Sequence, residues 1–387
     1  MNEIIIRLAA RCEEAGRSNN EDNFIISSNL TQSQWGFEAD KKINLSLRGT
    51  LLVVCDGMGG MNAGEVASEI AVRTIKEFFS DDKLTDDVCR SSSSIKKFIE
   101  NAIIAADTAI KEDTNKITEH KGMGSTIVLA WFINGKVYIG WCGDSRAYCY
   151  NPINGLQQLS HDHSYVQELV DAGKITADLA FNHPNSNVIT RSLGDPNGIA
   201  RPDVKEFDLH NNDIILLCSD GLCGYVRDAE IEATIKEHQT SMVECRDALW
   251  SVAENAPWGD NVTIELLQVI SGAKIAEKQN SSELPTKKHN GIFILLSLLL
   301  ALIIGVIIGI LITGKQCDNN YFDNNNVQTD SILKCDTADS NDIGLQKSSG
   351  KVRFEEKTEE SYNSMPDSTN TPNNDKEMFV PRDINTF

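Results

Sequence analysis

Acidic side chains recur in this chain at the ends of apolar runs. Leu51-Leu52-Val53-Val54-Cys55 leads into Asp56-Gly57, and Ile214-Ile215-Leu216-Leu217-Cys218-Ser219 leads into Asp220-Gly221. Asp260-Asn261 stands just before an apolar stretch, Gly143-Asp144-Ser145-Arg146 just after one, and Arg17-Ser18-Asn19-Asn20-Glu21-Asp22 near the start. Singly, each has an ordinary explanation: Asp-Gly is a common turn, a lone aspartate is usually solvated, and an Asn-Glu-Asp run is often a cap. The hairpin explanation fails at Asp56-Gly57, because the glycine-rich stretch MGGMNAGEVASEIAV follows and enters a helical pattern. If these ends converge, Asp22, Asp56, Asp220 and Asp260 crowd one site, and clustered carboxylates must take up protons or cations. Hard oxygen donors suit magnesium or manganese rather than zinc. Two such ions about 3.5–4 Å apart can clamp a phosphate and hold a hydroxide between them. Arg17 offers a guanidinium able to bond that phosphate through two donors.

The elements that must position these groups are legible from spacing. Ile95, Phe98, Ile99, Ala102, Ala105, Ala106 and Ala109 recur at helical intervals, predicting a helix over residues 94–112. Val66, Ile70 and Ile75 predict another over 63–79. Strands over 125–133 and 136–141 flank Asn134-Gly135, a strong hairpin signal, and Asn154-Gly155 marks a second hairpin. Strand runs around two long helices imply an α+β layered domain over residues 1–270.

Beyond that domain the composition changes. Residues 271–290 read as a polar linker. Gly291 to Thr313 contains no charge, and its 23 residues would rise about 34 Å as a helix, enough for a hydrocarbon core of roughly 30 Å. A transmembrane helix over 291–313 is therefore expected, with Lys287 and Lys288 placing the N-terminal side in the cytoplasm. Gly305 and Gly309 give it a GxxxG spacing. The tail 314–387, rich in Asn, Asp, Ser and Glu, is expected to be disordered and outside the membrane, where Cys317 and Cys335 would meet oxidising conditions. The first residues, interrupted by Arg7 and Arg11, do not read as a signal peptide.

The net charge of −20 argues against nucleic acid as a partner. An acidic site can still take an anionic substrate once metal ions cover its carboxylates. Eight of the ten cysteines precede residue 270, scattered through apolar runs, and read as buried cytosolic thiols. Cys218 and Cys223 lack a second pair at zinc-finger spacing, so zinc is rejected.

The blocks GRSNNED, VVCDGMGGMNAGEVAS, GMGST, GDSRAY, DHSYV, NVITRSLG, LLCSDGL and WGDNVT, in that order, resemble the type 2C metal-dependent protein phosphatases of bacteria across residues 1–270. The resemblance implies a four-layer α-β-β-α sandwich, two antiparallel sheets flanked by helix pairs. It implies Mn2+ or Mg2+ as cofactor: Asp56 bridging two ions, the Gly57 carbonyl on one, Asp220 and Asp260 on the other. Glu21 and Asp22 would hold metal-bound waters, Asp144 a third, weaker ion, and Arg17 the phosphate, while Asn261 orients the Asp260 loop. The implied reaction is in-line hydrolysis of phosphoserine and phosphothreonine on proteins by a bridging hydroxide, without a covalent phosphoenzyme and opposing a Ser/Thr kinase.

One departure concerns Met58, which stands where some members of the family carry a histidine general acid; the proton donor to the leaving group is left unassigned. His161-Asp162-His163 belongs by resemblance to a structural block, and residues 164–187 to a flap beside the cleft that tunes substrate choice. Arg191 reads equally as structural or substrate-binding. The competing reading is a catalytically silent, membrane-anchored scaffold of the same fold, which loss of an acidic ligand would favour; all the acids are present. The expected location is a bacterial cell membrane, with lipid contacted through 291–313 and the catalytic domain cytoplasmic.

Overall fold

A computed structural model of the chain describes residues 3–59, 63–80, 82–257 and 259–278. The expected membrane helix at 291–313, the tail at 314–387 and most of the linker lie outside the described residues. Among those described, no helix is long and apolar enough to cross a membrane.

The chain begins with β1 (Ile5–Glu13), β2 (Asp22–Asn29), β3 (Gln34–Trp35), β4 (Ile43–Asn44) and β5 (Thr50–Met58). Three helices follow, α1 (Ala63–Phe78), α2 (Asp86–Cys89) and α3 (Ser92–Lys116). Then come β6 (Gly124–Ser125), β7 (Ile127–Ile133), β8 (Lys136–Cys142), β9 (Arg146–Asn151) and β10 (Gly155–Gln158). The short helices α4 (Tyr165–Asp171) and α5 (Ala177–Phe181) precede β11 (Asp203–Asp208), β12 (Ile214–Cys218) and α6 (Asp220–Cys223). Helices α7 (Asp228–His238) and α8 (Met242–Asn255) and strand β13 (Val262–Ser271) complete the domain.

The strands form two antiparallel sheets, ordered β10-β9-β12-β13-β1-β4 and β11-β8-β7-β5-β2-β3, with β6 paired to the end of β5. Alternation explains the layers. Leu51, Val53 and Cys55 of β5 pack with residues of α1 and α3, while Leu52 and Val54 face the other sheet. Ile214, Leu216 and Cys218 of β12 pack toward α7 and α8, while Ile215 and Leu217 turn inward. Both strands are covered on both faces, so they read as unbroken apolar runs, and each such side chain contributes about 1.5–3 kcal/mol on burial. The result is the expected α-β-β-α sandwich.

Local chemistry sets the boundaries. Asn134 and Gly135 both take positive φ, 54° and 72°, the pair a tight hairpin demands. Ser91 caps α3 by accepting from the Ser94 amide at 3.1 Å. The helix extends past the apolar stripe at both ends, to Ser92 and Lys116. The strand expected over 125–133 is divided at Thr126. Ser125 pairs with Gly57, whereas β7 pairs with the body of β5. Thr126 bonds the Asp56 backbone twice, its amide donating to the carbonyl at 2.8 Å and its Oγ1 accepting from the amide at 3.2 Å.

Candidate functional site

Topology alone brings the acidic strand ends to one edge. Asp22 opposes Asp56 in the antiparallel β2–β5 register. Strand β13 runs against β12, with Ile264 opposite Cys218, so Asp260 just before it lies near Asp220 just after β12. Glu13 at the end of β1 opposes Val262, which delivers the loop carrying Arg17 and Glu21 to the same edge. Between β8 and β9 the chain crosses from one sheet to the other, because Cys142 pairs with Ile127 and Arg146 with Cys218. Asp144 sits on that crossing.

Hydrogen bonds lock the loops together. Asn261, nearly fully buried, donates to the Glu14 and Asn19 carbonyls at 2.8 and 2.7 Å and accepts from the Glu21 amide at 2.8 Å. It thus ties the Arg17 loop to the Asp260 turn. Arg17 donates through Nε to the Gly259 carbonyl and through Nη2 to Asp260, both at 2.7 Å, and stays half-exposed. The Asp22 Oδ2 accepts from Ser219 Oγ at 2.6 Å and Thr263 Oγ1 at 2.7 Å. Gly57 is required by close approach: a Cβ there would stand 2.1 Å from the Gly64 carbonyl oxygen and 2.6 Å from that of Glu21. The Glu21 carboxyl in turn packs on Gly64, where a Cβ would meet its Cδ at 2.7 Å.

The electrostatics follow from burial among like charges. Desolvation raises Asp56 well above the usual carboxylate range, with further increments from Asp22, Asp220, Asp144 and Asp260. Asp22 is raised to about 7, chiefly by burial, against the lowering effect of its two hydroxyl donors. Asp220 is raised to about 6 by burial and by Asp260, partly offset by a carboxyl–carboxyl hydrogen bond with Asp56. Burial and then Asp220 raise Asp144. Glu21 is raised too, by burial first and with Arg17 opposing. Asp144 Oδ1 and Asp220 Oδ1 are buried with no hydrogen-bond partner.

Among the described residues no three Asp, Glu, His or Cys side chains are drawn tightly enough to cage an ion unaided. The aspartates form a wider constellation coupled through charge, with Asp22 turned to its hydroxyl donors and Asp260 to Arg17. The structure therefore gathers all eight residues expected at the site, Arg17, Glu21, Asp22, Asp56, Gly57, Asp144, Asp220 and Asp260, around one edge. It also places Arg17 on Asp260 itself. The oxygen-only donor set, the orphaned buried oxygens and the raised carboxyls all fit hard divalent cations.

Other groups at this edge carry no strong signal in the sequence. Ser219 and Thr263 look like ordinary strand-end hydroxyls, yet both serve Asp22. Tyr225, half-buried, has its phenol raised by burial and by Asp260 and Asp220, and its Oη would lie 2.9 Å from a Cβ on Gly259. His161 pairs with Asp171 at 2.8 Å, and buried His163 with Asp203 at 3.0 Å while its Nδ1 accepts from the Gly143 amide, so the His-Asp-His run braces loops. Arg191 joins His163 and Asp203 at 3.2 and 3.4 Å. The flap's α5 is latched by Arg227, which bonds Asp178 at 2.7 Å and stacks 4.4 Å from the Phe181 ring centre.

The chain's relatives share this architecture. A family model described as Protein phosphatase 2C matches residues 40–257. That span encloses Asp56, Gly57, Asp144 and Asp220, while Arg17, Glu21, Asp22 and Asp260 join through the geometry above. The Listeria innocua serine/threonine phosphatase stp is 33% identical over 218 residues, 56% of this chain and 84% of that protein. The crystal structure of serine/threonine phosphatase Stp1 from Staphylococcus aureus is 32% identical and superposes with a TM-score of 0.59, covering 70% of this chain and 96% of that one. The catalytic domain of PstP, a serine threonine protein phosphatase crystallised with two manganese ions, is 27% identical with a TM-score of 0.55, covering 69% of this chain and all of the other.

Proposed function

The chain belongs to the protein phosphatase 2C family and is a protein serine/threonine phosphatase, and we propose that its buried aspartate constellation is the metal centre at which phosphate is removed from proteins. The observation that carries this reading is the set of carboxyls held near protonation by burial and mutual repulsion, two with orphaned oxygens, at the edge where both sheets end.

Asp56, the Gly57 carbonyl, Asp220 and Asp260 would hold two Mn2+ or Mg2+ ions, with Glu21 and Asp22 behind them and Asp144 toward a third. Such ions supply Lewis acidity to activate water and positive charge to neutralise the phosphate. The chain's own groups do the rest. Ser219 and Thr263 fix one oxygen of Asp22 and so aim the carboxyl. Asn261 keeps the loops from Glu14 to Glu21 and from Gly259 to Asp260 in register. Arg17, anchored through Nε and Nη2, orients the phosphate from the half-exposed side. Cysteine chemistry is disfavoured, since burial pushes the Cys12, Cys142 and Cys245 thiols to about 12 and raises Cys55 and Cys149 well above the ordinary thiol range, while Cys223 is raised first by its hydrogen bond with Cys218 and then by burial. A cysteinyl phosphoenzyme is thereby disfavoured, which supports the reading of direct hydrolysis.

Phosphorylated proteins are the substrates, and a Ser/Thr kinase is the natural counterpart. Residues 291–313 would anchor the chain in a bacterial cell membrane, catalytic domain inside and tail outside, a reading supported by a run without a single charge in which only Ser297 and Thr313 have polar side chains. The competing reading is the silent scaffold of the same fold, which loss of an acidic ligand would favour; Asp22, Asp56, Asp220 and Asp260 are all present. The test is phosphate release from a phosphothreonine peptide with Mn2+, with EDTA, and with the Asp220→Ala variant. Metal-dependent release abolished by that change supports the phosphatase centre; a folded chain inert in both Mg2+ and Mn2+ supports the scaffold.

A further inference from the structure

The loop that follows Asp220 carries a phenol to the turn that holds Arg17. Backbone bonds fix its path: the Gly224 amide donates to the Asp220 carbonyl at 2.6 Å, and the Tyr225 and Val226 amides donate to the Leu222 carbonyl at 3.2 and 2.9 Å. Leu222 and Val226 enter the apolar cluster shared with α7 and α8. Just beyond, Arg227 grips α5 and Asp228 accepts from Tyr148 Oη at 2.9 Å. Tyr225 is thus held from both sides, yet its own ring belongs to none of the apolar clusters of the described domain.

The ring lies against Gly259 instead. A Cβ there would stand 2.9 Å from Tyr225 Oη, 3.6 Å from Cζ and 3.7 Å from Cε1, so the missing side chain makes room for the phenol. The carbonyl of the same glycine accepts from Arg17 Nε, and Asp260 beside it accepts from Nη2, both at 2.7 Å. Guanidinium and phenol therefore meet at one turn. The phenol is close enough to Asp260, Asp220 and Arg17 to feel all three charges, which puts it on the cleft side of that turn. Burial first, and then the two carboxylates, raise it above the ordinary phenol value, so it keeps its proton through the neutral range.

Unspent donors are scarce at this edge. Arg17 is the one cation among the eight residues gathered there, and Nε and Nη2 are already engaged. The Ser219 and Thr263 hydroxyls are given to Asp22, those of Thr126 and Ser145 meet each other at 2.6 Å, and the Asn261 amide serves Glu14 and Asn19. The half-buried Tyr225 Oη has no hydrogen-bond partner among the described residues. A phenol has few rotamers and one O–H, so a donor anchored this way needs little reorganisation to meet an anion.

We propose that Tyr225 is a phosphate-binding residue, whose phenolic O–H donates to a phosphoryl oxygen of the phosphoserine or phosphothreonine beside Arg17. This rests on the phosphatase reading above. Being uncharged, the phenol adds a directed donor without competing with cations for the carboxylates.

The experiment compares the unaltered full chain with Tyr225→Phe, which keeps the ring against Gly259 and removes only the hydroxyl. Three quantities are read: kcat/KM on a phosphothreonine peptide in saturating Mn2+, the inhibition constant of inorganic phosphate against that peptide, and Kd for Mn2+ by calorimetry. The expected result is a rise of about tenfold or more in the phosphate inhibition constant, a fall at least as large in kcat/KM, and a Kd for Mn2+ within about twofold of the original. A phosphate inhibition constant that moves less than about twofold overturns the contact. Weakening of Mn2+ by the same factor as phosphate also overturns it, because the hydroxyl then acts by holding the Asp260 turn. Turnover by the unaltered chain with Tyr225→Phe unchanged removes the phenol contact alone, whereas no turnover in either Mn2+ or Mg2+ removes both readings.

Discussion

Two of the places where the described domain buries carboxyl groups behave as opposites. At the sandwich edge, Asp22, Asp56, Asp144 and Asp220 are raised by burial and by one another, yet hydroxyl donors, Arg17 and a solvent-facing Asp260 stand among them. In the middle of the core, Glu265 of β13 is fully buried, neither oxygen has a hydrogen-bond partner in good geometry, and burial raises it well above the usual carboxylate range, opposed only by the nearby Val53 backbone. Desolvation is common to both. Company and access differ: an edge carboxyl can exchange its proton for a cation, whereas Glu265 can only stay neutral. A buried acid is thus a functional signal only when other charges and an approach path accompany it.

The comparison breaks most visibly by truncating the edge. Asp56→Ala or Asp220→Ala is expected to lower kcat by about 10³-fold or more while the fold persists, measured by phosphate release and circular dichroism. Glu265→Met should leave kcat within about twofold.

Metal and pH sharpen the same contrast. Asp22 and Asp220 titrate near 7 and 6 in the folded chain and near the ordinary aspartate value when unfolded. Between those values the folded state holds more protons, so the metal-free chain loses stability as pH rises from about 4 to 7. A cation that displaces those protons binds better as pH rises. The increase in Tm on adding saturating Mn2+ should therefore be larger at pH 8 than at pH 5, read by thermal unfolding; an equal shift at both would contradict the assignment.

In the core, Glu265→Met removes an unsatisfied carboxyl and keeps the volume. It should stabilise the domain by about 1–3 kcal/mol in chemical denaturation at pH 8. A loss of stability would show that Glu265 has a partner that matters.

The smallest effect expected is at the flap. Arg227→Ala frees α5 from Asp178 and Phe181 and should raise KM for a phosphoprotein about two- to fivefold with kcat little changed.

Much of this was readable from the residues alone. Asp56 and Asp220 announce themselves because their strands are covered on both faces and end abruptly in a charge. The Asn134-Gly135 hairpin and the helix before it follow from local sterics and period. What was hidden depends on long-range register. Nothing nearby in the chain says that Ser219 and Thr263 share one oxygen of Asp22, or that Arg17 spends two donors on the turn at Gly259 and Asp260. Glu265 is the sharpest case. In Val262-Thr263-Ile264-Glu265-Leu266 it occupies the phase that alternation assigns to solvent, yet a second sheet covers that face. Alternation gives the face of a strand, and only the fold says what lies against it.

The central claim, that the edge carboxyls and not the core one form a metal site, is tested most directly by titrating Mn2+ into the metal-free chain in a calorimeter, beside Asp56→Ala and Glu265→Met. The account predicts saturable binding of at least two ions to the chain and to Glu265→Met, with heat largely lost in Asp56→Ala. Undiminished binding in Asp56→Ala, or none in the unaltered chain at pH 8, would contradict it.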